Sequence, residues 1–158
     1  MNTMKKMLLI PASALLLTAA TGNVHADYQP LDSIDEILAY TREYGFTHYE
    51  EIEIKSSNRA EVEGWLDGEW FADVEFSLDN GDPLKEERKR LITGPWGMSE
   101  DDIRQAINNA SQEGMIEFEE IEISKTGMID IDGRDQNGHE LDIKVQQGSS
   151  QITEIDRD

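Results

Sequence analysis

The chain has 158 residues, with 34 acidic against 14 basic side chains, a formal charge of −20 and no cysteine. Without cysteine a thiol nucleophile, a thiolate zinc centre and a disulfide framework are excluded. So acidic a surface also argues against nucleic acid and anionic lipid as partners. It fits a basic partner, a bound cation or a salty environment, and composition does not separate these.

Residues 1–26 read as a signal peptide. Lys5 and Lys6 precede a short apolar stretch over 7–17, broken by Pro11, and Val24-His25-Ala26 places small residues ahead of a cut before Asp27. The stretch is too short to anchor the chain comfortably across a bilayer, and no cysteine is present to carry a lipid. The expected mature chain, 27–158, is periplasmic or secreted, with no membrane insertion after cleavage.

The rest of the sequence repeats itself. Glu50-Glu51-Ile52-Glu53-Ile54 recurs as Glu119-Glu120-Ile121-Glu122-Ile123, and at the same offset Ile34 falls on Ile103, Leu38 on Ile107 and Gly45 on Gly114. A period this long is a small domain rather than a solenoid turn. It predicts a first unit over 27–90, a linker over 91–98 and a second unit over 99–158, each with its own core or leaning on its twin.

Each unit opens with a predicted helix. In the first, Ser33 and Glu36 have capping-box spacing, Ile34, Ile37, Leu38 and Thr41 form an apolar stripe, and Gly45 ends it. In the second, Ser99 is the expected cap, Glu100, Asp101 and Asp102 suit the positive helix end, and Gly114 is the stop. Strands follow, with Ile52 and Ile54 alternating with Glu51 and Glu53, then Ala60 and Val62, then Ala72, Val74 and Phe76. Period-two alternation with one apolar face predicts an antiparallel sheet wet on its other side. Asn80-Gly81 leads into a short strand near Leu84, and Lys85, Arg88, Lys89 and Arg90 form a basic cluster read as solvated chain. Gly94-Pro95-Trp96-Gly97 then breaks regular structure. The expected fold class is α+β: two tandem units, each one helix packed on a small antiparallel sheet of three to four strands.

A helix ending in glycine, a strand of Glu-Ile alternation and a glycine-turn hairpin together resemble the PepSY domain family. The second unit carries the pattern best, in Gly138-His139-Glu140-Leu141-Asp142-Ile143-Lys144-Val145 closing through Gly148 to Ile155-Asp156. His139 stands where the family commonly has tyrosine, and the chain stops soon after Asp156. The resemblance implies a free-standing exported binding module, with restraint of a secreted peptidase as the activity its relatives suggest.

Register points to a candidate surface. Keeping the apolar residues on one face requires a three-residue loop at Asp67-Gly68-Glu69, which sets Trp65 opposite Phe71, Glu63 opposite Asp73 and Glu61 opposite Glu75. The matching pairs in the second unit are Arg134 with Glu140, Asp132 with Asp142 and Asp130 with Lys144. The first unit thus sets carboxylate against carboxylate twice, which weakens a sheet unless a cation or basic partner relieves it. Trp65, Phe71, Glu61, Glu63, Asp73 and Glu75 are the expected partner-binding residues, an outward aromatic pair beside acid for a protein or peptide with a basic segment. The competing expectation is that Trp65 packs inward, against the other unit or Trp96.

No catalytic residue, cofactor site or metal site is expected. His48 and His139 are one to a unit and not equivalent, and no phosphate loop or nucleophile elbow is present. The acidic string from Asp130 fails the EF-hand pattern, since a glycine at the sixth position puts Met128 or Gly133 first. The sequence therefore predicts a non-enzymatic exported binding protein. The alternative is an acidic protein responsive to salt or to weakly held divalent cations.

Overall fold

The computed structural model describes residues 27–158, so the expected signal peptide lies outside the described residues. A two-residue strand β1 (Gln29–Pro30) and a 3-10 turn (Leu31–Ser33) lead into helix α1 (Ile34–Tyr44). Strands β2 (His48–Ser56), β3 (Arg59–Trp65), β4 (Trp70–Ser77) and β5 (Pro83–Arg90) follow. Helix α2 (Glu100–Gln112) then precedes β6 (Met115–Ile123), β7 (Met128–Asp135), β8 (Glu140–Gln146) and β9 (Ile152–Arg157).

These strands form one sheet, and that overturns the expected architecture. All nine belong to a single antiparallel sheet in the order β5-β4-β3-β2-β6-β7-β8-β9, with β1 beside β6. The molecule is therefore not two tandem helix-on-sheet units but a largely β structure in which two short helices share one layer. The seam is the β2–β6 pairing, where Ile52 faces Ile121, Glu51 faces Glu122 and Glu53 faces Glu120. Ile52 and Ile121 occupy equivalent positions of the sequence repeat, so the halves meet about a local twofold through this pair. The same relation holds beside the seam. Gln29 pairs with Phe118, and Met98, the repeat counterpart of Gln29, bridges Tyr49, the counterpart of Phe118. Met98 ends the expected linker, yet it is fully buried.

Alternation decides the layers. Ile52, Val62, Ala72 and Val74 from one half and Ile121, Ile131, Ile143 and Val145 from the other point to one side and join a single core with Ile34, Leu38, Ile103 and Ala106 of the helices. Arg42 of α1 reaches Glu100 at 2.8 Å and Arg104 of α2 reaches Asp35 at 3.0 Å. This pairs each helix's start with the other's interior or end, so the helices run antiparallel over the sheet. Helix α2 carries the expected Ser99 cap, which the structure completes as a capping box, with Ser99 accepting from the Asp102 amide and Asp102 accepting from the Ser99 amide. The first half departs from expectation: Ser33 sits in the 3-10 turn, donates to the Pro30 carbonyl and caps nothing. The basic cluster, expected as solvated chain, is the edge strand β5, exposed along its whole length. Six consecutive charged residues on an outer strand discourage pairing with another chain.

Gly64 and Gly133 are required by the backbone at the two bulges. A bulge in β2 between Tyr49 and Glu51 folds the main chain over Gly64, and the matching bulge in β6 between Phe118 and Glu120 folds it over Gly133. A Cβ would lie 2.2 Å from the His48 carbonyl oxygen at Gly64 and 2.2 Å from that of Glu117 at Gly133. Backbone cannot yield as a flexible side chain would. Gly64→Ala is expected to cost about 1–3 kcal/mol, read as a lower denaturant midpoint, with Gly133→Ala costing the same.

Candidate functional site

The face of the sheet away from the helices carries the charge. Because β partners project to the same side, cross-strand pairing strings these side chains into ladders running across the sheet. One ladder passes from Glu87 through Asp73, Glu63, Glu51 and Glu122 to Asp130 before meeting Lys144. The next begins at Lys85 and passes through Glu75, Glu61, Glu53, Glu120, Asp132 and Asp142 to Asp156. The local twofold exchanges the two ladders, since Glu51 and Glu120, Glu63 and Asp132, and Asp73 and Asp142 are each equivalent positions of the repeat. With strands about 4.8 Å apart, this makes a carboxylate strip across most of the sheet.

Few cations sit within it. Lys55 pairs with Glu53 and reaches Glu61 at 3.2 Å, Arg59 reaches Glu75 at 2.8 Å, and Lys144 lies between Asp130, Asp142 and Glu154. The seam feels the shortage most. Partial burial, then the charges of Glu63, Glu53 and Glu122, push the Glu51 carboxyl up to about 7, with Lys55 in opposition. Burial, then Glu51, Glu122 and Asp132, push Glu120 up to about 7 as well. Glu63, Asp73 and Asp132 are raised too, each first by burial and then by neighbouring carboxylates. Three trios bring one oxygen per residue within 4.8 Å: Glu51, Glu120 and Glu122; Glu61, Glu63 and Asp73; Asp130, Asp132 and Asp142. Each trio lies flat on the sheet and offers oxygens from one side only. A hard cation wants six to eight oxygens around it, so the trios are acidic clusters rather than coordination spheres.

The expected partner-binding residues divide into two groups. Register is as the sequence predicts, with Trp65 opposite Phe71, Glu63 opposite Asp73 and Glu61 opposite Glu75. The four acids belong to the ladders. The aromatic pair, expected to face outward, is buried: Trp65 is 0% and Phe71 4% exposed. Their rings meet edge to face at 5.8 Å, Lys89 lies 4.7 Å above the Phe71 ring, and the Trp65 indole N–H donates to Glu50 at 3.1 Å. Glu50 is the bulged residue of β2, so the bulge turns an extra acid toward the indole. This closes the aromatic end of the face with Phe71 and Glu50. Of the oppositely charged pairs expected in the second half, Asp130 meets Lys144 at 3.7 Å, while the other rearranges. Arg134 stands opposite Glu140, but its guanidinium binds Glu117 at 2.5 Å and lies 4.2 Å from the Tyr28 ring.

What the sequence reading missed is the centre of the strip, Glu51, Glu53, Glu120 and Glu122. The available signal was the repeated Glu-Glu-Ile-Glu-Ile run, which becomes adjacent to its own copy only if both halves share a sheet. A cavity of about 290 Å³ opens at the second-half end, lined by Tyr28, Glu119, Asp132, Glu140, Asp142 and Asp156 among others.

No protein-family model matches the chain, and no curated protein matches it. Among solved structures, a candidate lipoprotein from Clostridium difficile 630, determined by crystallography at 1.85 Å, aligns with a TM-score of 0.48 and 16% identity over 86% of this chain and 98% of that one. A likeness at this level carries no argument about activity. No described helix is long and apolar enough to cross a membrane.

Proposed function

We propose that this protein is a non-catalytic binding module of the cell exterior whose acidic sheet face takes a basic segment of another protein. The observation that supports this reading is the pair of carboxylate ladders meeting at the seam, where Glu51, Glu53, Glu120 and Glu122 crowd together with Lys55 as the nearest cation. Like charges set opposite one another weaken a sheet, and a lysine- or arginine-bearing partner relieves that repulsion as it binds. Export rests on the signal-like residues 1–26. Within this reading, a secreted peptidase is the partner class that the PepSY resemblance suggests.

The test is a titration of a lysine-rich peptide against the protein and against a Glu51→Lys, Glu120→Lys variant. The expected result is binding that weakens with salt and falls at least about tenfold in the variant, on the order of 1.4 kcal/mol. The variant should stay folded, because it removes repulsion. No binding, or binding indifferent to the reversal, would sink the proposal.

The second reading is an acidic protein adapted to salt or cations, favoured by the upward push on the seam carboxyls. Thermal unfolding in calcium chloride and in sodium chloride at matched ionic strength separates the two. Equal stabilisation by both salts without peptide binding supports salt adaptation, and a response confined to low-millimolar calcium supports a cation role.

A further inference from the structure

The two halves differ where β7 meets β8. Lys144 approaches Oδ2 of Asp130 at 3.7 Å and Oδ2 of Asp142 at 3.4 Å, while Glu154 of β9 competes for the same ammonium at 3.3 Å. The other oxygens, Oδ1 of Asp130 and Oδ1 of Asp142, are shut off from solvent, and neither has a hydrogen-bond partner. As ionised carboxylates they cannot satisfy each other, since both only accept. A buried acceptor without a donor is costly, and one proton placed between them provides the donor and cancels a charge.

We propose that Asp130 and Asp142 hold one proton between them at neutral pH, making this end of the sheet a proton store that stabilises the fold in mild acid. The surroundings favour it. Asp130 faces Glu122 of β6 and Lys144 of β8 directly, with Asp132 beside it on its own strand. Asp142 faces Asp132 of β7 and Asp156 of β9, with Lys144 and Glu140 on its own strand. One ammonium thus answers a crowd of acids. Burial, then the hydrogen bond to Asp142 and its charge, raise the Asp130 carboxyl to about 7, with Lys144 in opposition. The equivalent first-half residues, Glu61 and Asp73, are relieved differently, because Lys55 reaches Glu61 at 3.2 Å. The sharing of the proton does not depend on whether the face binds a partner.

The sign follows from linkage. The folded state holds this proton more tightly than the unfolded chain, where an aspartate loses it near 3.9. The destabilising charge is therefore absent below about pH 4, grows as pH rises and is complete above about 7.

Carboxyl-carbon NMR of the protein from pH 3 to 9, with denaturant unfolding at pH 5.5 and pH 8, tests this. The Asp130 resonance should show a late step near 7, and the unfolding midpoint should be higher at pH 5.5. Asp142→Asn gives Asp130 a permanent donor, so the late step at Asp130 should vanish and the difference between the two midpoints should shrink by this pair's share, the part due to Glu51 and Glu120 remaining. The proposal is overturned if the Asp130 carboxyl finishes titrating below pH 5, or if its late step survives in Asp142→Asn. Should that variant not fold, the titration of the unsubstituted protein decides alone.

Discussion

Trp65→Ala is expected to destabilise the protein by about 3–5 kcal/mol, the range for removing a fully buried aromatic. The indole is 0% exposed, packs edge to face on Phe71 and gives its N–H to Glu50 at 3.1 Å. Truncation would empty the volume that the indole fills beside Phe71 and would strip a half-buried carboxylate of its donor. Circular dichroism during denaturant unfolding measures the loss. A cost under about 1 kcal/mol would mean that the indole is solvated, as an outward interface anchor would be. If the larger value holds, loss of binding on cutting Trp65 and Phe71 reports damage to the fold. Partner binding must then be probed at the acids.

Ile131→Ala is expected to cost about 2–5 kcal/mol and to lower the stability of both halves together. Ile131 is fully buried on β7, between Ile121 and Ile143. The three tryptophans, Trp65, Trp70 and Trp96, all precede α2. With Trp96→Phe in the background, the remaining Trp65 and Trp70 report the first half, and far-ultraviolet dichroism reports the whole sheet. In a single sheet closed through β2 and β6, a cavity in β7 must shift the tryptophan transition as far as the dichroism transition. Two independent units would leave the tryptophan transition where it stands in the parent protein.

This difference also shows what the sequence could disclose. The hairpin registers were legible, because alternation fixes which residues face inward and a three-residue loop between Leu66 and Trp70 is the short closure that keeps them there. Helix α2 was legible from Ser99 and its acidic first turn. The seam was not. Ile52 and Ile54 alternate with glutamate identically whether β2 is an edge or a central strand, and the pairing of strands so distant in sequence leaves no local mark. Once the seam is missed, two small sheets follow, and the central quartet of glutamates is split between them. The strand expected near Leu84 runs on as β5 through Arg90, an extension hidden for a related reason: an edge strand fully exposed to water needs no apolar alternation, so Lys85 to Arg90 look like solvated chain. The burial of Trp65 depends on the Glu50 bulge, which period-two reasoning passes over because it assumes that every residue of the strand is paired.

The central claim is that the acidic strip, rather than the aromatic end, receives a basic segment. Backbone amide NMR of the protein with a lysine-rich peptide at low salt tests it most directly. The account predicts shift changes centred on Glu51, Glu53, Glu120 and Glu122 on both sides of the seam, fading toward Trp65 and Phe71. Changes confined to the Trp65 end or to the helix layer, or none at all at saturating peptide, would contradict it.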